Sequence, residues 1–316
     1  MSTQEVWLPY SADELAPLPD SLRCLLWRGE DTYPGDPADC AFYTVPYLKG
    51  PKVAVRPLAE MTSVRVVQTL TAGVEHMLPE VPRLPEGAVL CNAGDLHNTS
   101  TAELALALAL SALRGVDQAA RDQLQGRWAP AIHTSLADRR VLILGYGGIG
   151  AAIEERLLPF EVAEVIRVAG HARNAPRGPV HASSELPELL PRAEVVMVAT
   201  PLTERTRGLL GARELALLPD GALVVNVARG PVVDADALLA EVSGGRLRAA
   251  LDVTDPEPLP ADHPLWRAPG VLITPHVGGP STAFEPRAKA LLRAQLTRFA
   301  LGEELRHRVA TSGSER

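Results

Sequence analysis

The stretch "VLILGYGGIG", Val141 to Gly150, decides how this chain folds. Its opening apolar run reads as a short strand buried on both faces, the pattern of a covered parallel sheet. Gly145, Gly147 and Gly150 follow in G-x-G-x-x-G spacing, and a helical pattern, "IGAAIEERLL", overlaps the end of the motif. In that frame the first glycine permits a tight turn, the second lets a pyrophosphate approach the backbone, and the third lets helix and strand pack closely. The helix start adds unpaired N–H groups and positive potential suited to phosphate. The plain alternative is a glycine-rich turn with no ligand, and the complete strand–loop–helix frame argues against it.

The rhythm continues toward the C-terminus. "AEVIRVA", "AEVVMVAT", "GALVVNVA", "LRAALDV" and "GVLIT" read as strands, and "SELPELL", "ARELALL" and "ADALLAEVSG" as helices between them. Strands apolar on both faces alternating with helices predict a parallel sheet covered on both sides. Toward the N-terminus the short runs "LRCLLWRG" (22–29), "CAFYTV" (40–45), "VRVVQTL" (64–70) and "GAVLCNAG" (87–94) are bounded by turn residues and read as further strands. A long helix is expected over 101–124, capped by Ser100 or Thr101, with Glu103 in its first turn. Its first half is apolar nearly all round, which predicts burial between domains or between subunits. A last helix, about 281–301, has no place in the parallel sheet and is expected to return to the first domain. The fold class is therefore α/β: a doubly wound parallel-sheet (Rossmann) cofactor domain over 100–277, inserted in a smaller discontinuous flavodoxin-like α/β domain of 1–99 and 278–316.

Composition narrows the function classes. The 316 residues are 46% hydrophobic and 22% charged, ordinary for a globular protein. A formal net charge of -7 offers no general attraction to nucleic acid or anionic lipid. The apolar stretch Leu104–Leu113 falls short of the ~18 residues that suggest a membrane span. The N-terminal "MSTQEVWLPYSADELAPLPD" lacks the basic start and apolar core of a signal peptide. Cys24, Cys40 and Cys91 show no metal-ligand spacing, and their sparse, odd count suits a reducing cytoplasm.

Ligands of open parallel sheets bind beyond the carboxyl ends of the strands. Polar groups from separate stretches belong at that edge: Arg229 in "VVNVARG", Asp252 and Glu257 in "ALDVTDPEPLP", and His276 in "VLITPHVGG". Singly, each could be a solvated loop charge, and His276 is one of eight histidines. Together, behind a dinucleotide loop, they suit hydride transfer to a carbonyl. The developing alkoxide needs a proton donor, which an imidazolium supplies near neutral pH. A carboxylate beside it favours the charged form and fixes the tautomer. An arginine can clamp a substrate carboxylate or polarise the carbonyl oxygen.

The motifs "GYGGIG", "TPLTERTRGLL", "NVARGPVVDADALL", "LDVTDPEPLP", "HPLW" and "ITPHVGG" stand in the order and spacing of the D-isomer-specific 2-hydroxyacid dehydrogenases, which this sequence resembles over about residues 90–305. "NTSTAEL" and "TLTAGVEHM" are similar to that family's interdomain helix entry and substrate-binding turn. The resemblance implies an NAD(P)-dependent 2-oxoacid reductase with Arg229, Glu257 and His276 as the catalytic residues. It implies that Gly145, Gly147, Gly148, Ile149 and Gly150 form the phosphate loop, with Thr200, Pro201, Val227, Ala228 and Gly278 along the cofactor path. Asp252 would hold the nicotinamide carboxamide, and the backbone at Ala72 and Gly73 the substrate carboxylate. Tyr47, in "YTVPYLKG", is a candidate for substrate selection, and no metal site is expected. A small-molecule 2-oxoacid or 2-hydroxyacid partner and a homodimer through the helices of 101–130 follow from the same resemblance. A corepressor of this fold, a dinucleotide-sensing binding protein, is the alternative; beyond "ATSGSER" the chain shows no tail for recruiting partners.

The sequence also departs from the pattern. The strand-end acid expected to bind the adenosine ribose is missing: "EVIRVAGHAR" ends Ala169-Gly170-His171-Ala172-Arg173. Arg173, with His171, could instead pair with a 2′-phosphate, which favours NADP over NAD. NADP-using glyoxylate/hydroxypyruvate reductases carry arginines in this loop, the first of them replaced here by Gly170. Formate-specific members carry glutamine at the position of Glu257, which argues against formate as the substrate.

Overall fold

The computed structural model describes residues 3–313; Ser314, Glu315 and Arg316, the end of the "ATSGSER" stretch, lie outside the described residues, as do Met1 and Ser2. The chain divides into two compact units, one of residues up to His97 and from Thr282 onward, the other Asn98–Ser281.

The first unit begins with β1 (Gln4–Leu8), a short helical turn α1 (Ala12–Leu15), β2 (Leu22–Leu26), β3 (Cys40–Thr44), a second turn α2 (Pro51–Val55), β4 (Val66–Gln68) and β5 (Val89–Cys91). These strands are parallel and lie in the order β2-β1-β3-β4-β5. That order is flavodoxin-like. Strand β1 is absent from the sequence reading, yet it is central: Val6, Trp7 and Leu8 are all fully buried.

The second unit opens with α3 (Asn98–Arg114) and α4 (Val116–Gln123), followed by β6 (Arg140–Leu144), α5 (Gly148–Leu157), β7 (Glu164–Ala169), β8 (Arg173–Ala175), β9 (Gly178–Ala182), α6 (Leu186–Leu189) and β10 (Val195–Val198). It continues with α7 (Ala212–Ala216), β11 (Leu223–Asn226), α8 (Ala235–Ser243), β12 (Arg248–Leu251) and β13 (Val271–Ile273). The single long helix expected over 101–124 is two helices. It starts at Asn98, so Ser100 and Thr101 sit in its first turn rather than capping it, and it breaks at Gly115, whose φ of 64° ends a helix. The apolar half of α3 packs on the sheet of its own unit. Ala102, Ala105, Leu106, Leu108 and Ala109 pack with Val141, Ile143, Val195, Met197, Leu223 and Val225 on one face of the unit's own sheet. The alternate residues Leu142, Leu144, Val196, Val198 and Val224 face the other side, against Leu186, Leu190, Leu215 and Leu238. A sheet apolar on both faces needs both covered, and α3 covers one of them.

The sheet order is β13-β12-β11-β10-β6-β7-β9-β8, parallel except for β8 against β9. From the glycine-loop strand β6 the chain winds outward through β7 and β9, then returns to the other side at β10. The reversal between β6 and β10 is the topological switch point where such sheets open a crevice. The polar, Gly/Pro-containing hairpin β8–β9 was not expected.

After this unit the chain adds α9 (Phe284–Leu301) and β14 (Arg308–Thr311) to the first unit; β14 runs antiparallel to β5 and closes that edge.

Candidate active site

Strand register brings the site together. Leu144 of β6 pairs with Val198 of β10, Val198 with Asn226 of β11, Asn226 with Leu251 of β12, and Leu251 with Ile273 of β13. Every strand therefore stops on one line. The residues just past it are Gly145, Ala199, Val227, Asp252 and Thr274.

His276 lies three residues past β13. Its Nδ1 is 2.6 Å from Oε1 of Glu257. An ionised carboxylate only accepts, so Nδ1 carries the proton and Nε2 is left for other work. The bond from His276 holds the Glu257 carboxyl below the usual carboxylate range; partial burial opposes this, while the charges of His276 and Arg229 and the Thr254 backbone assist it. Both side chains are about two-fifths exposed, 43% for His276 and 41% for Glu257. His276 has φ of 54°, a left-handed conformation uncommon outside glycine.

That conformation has a local cause. Asp252 is 2% exposed, and its carboxylate accepts from Thr274 Oγ1 at 2.6 Å, Val277 N at 2.8 Å and Gly278 N at 2.9 Å. Its own carbonyl accepts from His276 N at 2.8 Å. The segment carrying the histidine is thus wrapped around Asp252. A second strand-end side chain does similar work beside it. Asn226, fully buried, accepts from Ala228 N at 3.0 Å and donates to Arg229 O at 3.1 Å, fixing the turn that carries Arg229. Arg229 is half-buried and donates to Ala228 O at 2.7 Å. Gly230 is obligatory here, because a Cβ would stand 1.9 Å from Thr254 O.

At the switch point the chain approaches itself closely. Gly145 has φ of 107°, and a Cβ on it would lie 2.4 Å from Thr200 N. A Cβ on Gly147 would meet nothing within 4 Å, which leaves open space at the start of α5. A cavity of about 740 Å³ opens there, lined by Gly145, Gly147, Arg173, Thr200 and Pro201 among the expected residues. Open backbone, the first-turn N–H groups of a ten-residue helix and a cavity of this size fit the phosphates and adenosine of a dinucleotide. Gly148, Ile149 and Gly150 form the first turn of α5. Val227, Ala228, Asp252 and Gly278 lie farther along the edge and do not line this cavity, and neither do Arg229, Glu257 and His276. His171 is exposed and lies outside the lining.

In the first unit, the turn after β4 holds Ala72 and Gly73. Asn92 Nδ2 donates to Ala72 O at 2.8 Å, Thr71 Oγ1 to Gly73 O at 2.8 Å, and a ring nitrogen of His97 lies 2.8 Å from Leu70 O. Tyr47 is half-buried, stacked on Phe284 with centroids 3.9 Å apart, and burial pushes its hydroxyl up to about 12.

The family model for the NAD-binding domain of D-isomer-specific 2-hydroxyacid dehydrogenases matches residues 106–278, more than half of the chain. The chain belongs to the D-isomer-specific 2-hydroxyacid dehydrogenase family. It is 32% identical over 224 residues to glyoxylate reductase/hydroxypyruvate reductase of Homo sapiens, covering 68% of each chain. It is similar throughout to a D-isomer-specific 2-hydroxyacid dehydrogenase of Xanthobacter autotrophicus Py2 in complex with NADPH and MES, with 30% identity, TM-score 0.80 and 98% of both chains covered. A family member from Aeromonas salmonicida gives a TM-score of 0.82 at 27% identity, covering 98% of this chain and 99% of its own. A Rossmann cofactor domain and a second α/β domain with a parallel sheet are thus this dehydrogenase's architecture. Among the described residues no helix is long and apolar enough to cross a membrane, and no group of three or more His, Cys, Asp or Glu is arranged for a metal ion.

Several residues that shape this family member's site went unread in its sequence. Tyr146, Ser183 and the turn 203–206 line the cavity. The motif "TPLTERT" contained the signal for that turn: Thr206 Oγ1 donates to Pro201 O at 2.6 Å and accepts from Thr203 N at 2.8 Å. Asn92, His97 and Phe284 carried no local signal, since each acts on a residue brought to it by tertiary folding, whereas Asn226 acts on Ala228 and Arg229, just beyond its own strand.

Asp252→Asn should be far from conservative. The amide keeps a single acceptor oxygen and turns an NH2 toward donors, so about 1–3 kcal/mol of stability should be lost, and turnover should fall with the displaced His276. Urea denaturation alongside initial rates tests this; a variant matching the parent in both would show that Asp252 does not hold the segment.

Proposed function

We propose that this chain transfers a hydride between a nicotinamide dinucleotide and a small 2-oxoacid or (R)-2-hydroxyacid. The observation that carries the reading is the 2.6 Å His276–Glu257 pair on the same strand-end line as the glycine loop, with Arg229 close enough for its charge to act on Glu257. Reduced nicotinamide supplies the hydride when bound. His276 holds a proton at Nε2 for the developing alkoxide, Glu257 fixes its tautomer through Nδ1, and Arg229 orients the substrate carboxylate or polarises its carbonyl. Gly145, Gly147, Gly148, Ile149 and Gly150 take the phosphates, Thr200, Pro201, Val227, Ala228 and Gly278 line the cofactor's path, and Asp252 faces the carboxamide. Ala72, Gly73 and Tyr47 are the proposed substrate contacts. We assign the enzyme to the cytoplasm and to a homodimer through the 101–130 region, where Leu124, Trp128 and the nearby Ile132 are almost wholly exposed apolar side chains.

For the cofactor, NADPH is favoured over NADH. No acid ends β7 to accept from a ribose 2′-OH or repel a 2′-phosphate, and Arg173 and Arg205 both line the cavity. Glu204 lines it too, but is exposed and follows a different strand. The relative from Xanthobacter autotrophicus Py2 is described with NADPH.

His276→Asn should lower turnover by about 10²–10⁴-fold while leaving dinucleotide binding close to the parent value; a retained kcat would remove His276 from the chemistry. Glu257→Gln has a pH signature. The bond from His276 holds the Glu257 carboxyl below its usual range, so Glu257 carries its charge across neutral pH in the parent. A neutral amide no longer stabilises the protonated imidazole that reduction consumes, so the alkaline limb of the reductive rate profile should move to lower pH. An unmoved limb would exclude this role. Finally, with glyoxylate or hydroxypyruvate, kcat/KM should be higher for NADPH than for NADH, and Arg173→Ala should reduce that preference by about tenfold or more. Higher efficiency with NADH in the parent would overturn the cofactor assignment.

A further inference from the structure

Tyr146 sits inside the glycine loop, between Gly145 and Gly147, and is held at several points. Its N–H donates to Val168 O at 2.9 Å. Its hydroxyl donates to the carboxylate of Glu154, a residue of α5 that is only 1% exposed. Glu154 in turn accepts from Arg167 of β7, through Nε at 2.9 Å and also through Nη2. The Arg167 guanidinium lies 5.8 Å from the centroid of the Tyr146 ring. At the other end of the same residue, the Tyr146 carbonyl accepts from Nη2 of Arg173. One loop residue therefore connects a buried ion pair to the exposed arginine at the edge of the cavity.

A buried carboxylate–guanidinium pair contributes little to stability compared with an apolar core of the same volume. Fixing a single geometry is its better-attested use. Here the geometry fixed is that of Tyr146, and through its carbonyl that of Arg173. An arginine on an exposed β-strand loses rotamer freedom when it closes on an anion, and one already tethered through Nη2 has lost part of it beforehand. Nε and Nη1 remain for a phosphate. We propose that Tyr146, braced by Glu154 and Arg167, is a positioning residue for Arg173 and so sets the discrimination between a dinucleotide bearing a 2′-phosphate and one without it. This rests on the reading of Arg173 as the 2′-phosphate ligand.

The test measures kcat/KM for NADPH and NADH, with glyoxylate, in the full chain and in Tyr146→Phe, Glu154→Gln, Arg173→Ala and the Tyr146→Phe/Arg173→Ala double variant. Thermal unfolding is recorded for each. Tyr146→Phe removes only the hydroxyl and leaves the Glu154–Arg167 pair intact. It should lower the NADPH:NADH ratio by about threefold or more, in line with a lost charge-assisted hydrogen bond. Glu154→Gln should lower the ratio in the same direction. In the double variant the ratio should fall no further than with Arg173→Ala alone, because the tyrosine acts through that arginine. A purely structural role would lower the unfolding temperature, or both efficiencies together, and leave the ratio untouched; that result overturns the inference. If Arg173→Ala itself leaves the ratio at the parent value, the reading of Arg173 fails and the inference with it. If Arg173→Ala lowers the ratio and Tyr146→Phe does not, only the positioning role is lost.

Discussion

The carboxylate of Asp252 is the interaction on which the acid/base segment depends. Burying an ionised carboxylate costs several kcal/mol after relaxation, by the order of magnitude found for buried ions. The cost is offset only where donors surround it. Here the donors are Thr274 Oγ1 and the N–H groups of Val277 and Gly278, which flank His276. Those N–H groups converge because His276 takes a φ of 54°. The left-handed conformation costs roughly 1–2 kcal/mol in a residue with a Cβ, less than a pair of charge-assisted bonds at ~1.5–3 kcal/mol each. The side chain of the sheet edge thus dictates the backbone beyond it, and that backbone aims the histidine.

The neighbouring strand repeats the device. Asn226 ends β11, and its amide shapes the turn to Arg229 as Asp252 shapes the turn to His276. In-register parallel strands make this possible, since their ends form a platform from which short polar side chains can reach the next few residues. The same register puts Gly145 against Thr200 at the switch point. Cofactor cavity and acid/base pair are different stretches of one edge, and the topology alone puts them there.

Legibility in the sequence followed how local each cause was. The glycine loop and the strands of the second unit announce themselves through apolar runs and spacing. Arg229, Glu257 and His276 were legible as strand-end polar residues within known motifs. Much of what escaped depended on partners distant in sequence. β1 has only five residues in a stretch otherwise rich in acids and prolines, and its central place comes from pairing with both β2 and β3. Gly115 was read through because a single glycine is tolerated within a helical pattern, although here it turns left-handed and splits the helix. The hairpin β8–β9 carries Asn, Pro and Gly, which point to a loop, and only its pairing with β7 makes it sheet. Asp252 was assigned a ligand from the family pattern; its bonds to the His276 segment could not be read before the register was known.

The His276–Glu257 pair is about two-fifths exposed on each side, and exposed ion pairs contribute about 0–1 kcal/mol or less to stability. Folding therefore gains little from the pair itself. Yet its geometry is short at 2.6 Å, and it rests on a backbone conformation that is costly for a histidine and on a carboxylate that is costly to bury. Strain is retained where surrounding structure over-determines it, and it concentrates at sites that must present a group in one orientation. A histidine held this firmly while its Nε2 remains unclaimed by Glu257 suits the proton transfer proposed for it better than it suits packing. Substituting the fold's ordinary solutions, a glycine at 276 and an apolar residue at 252, would relieve both costs and remove the proton donor proposed for the reduction of a 2-oxoacid.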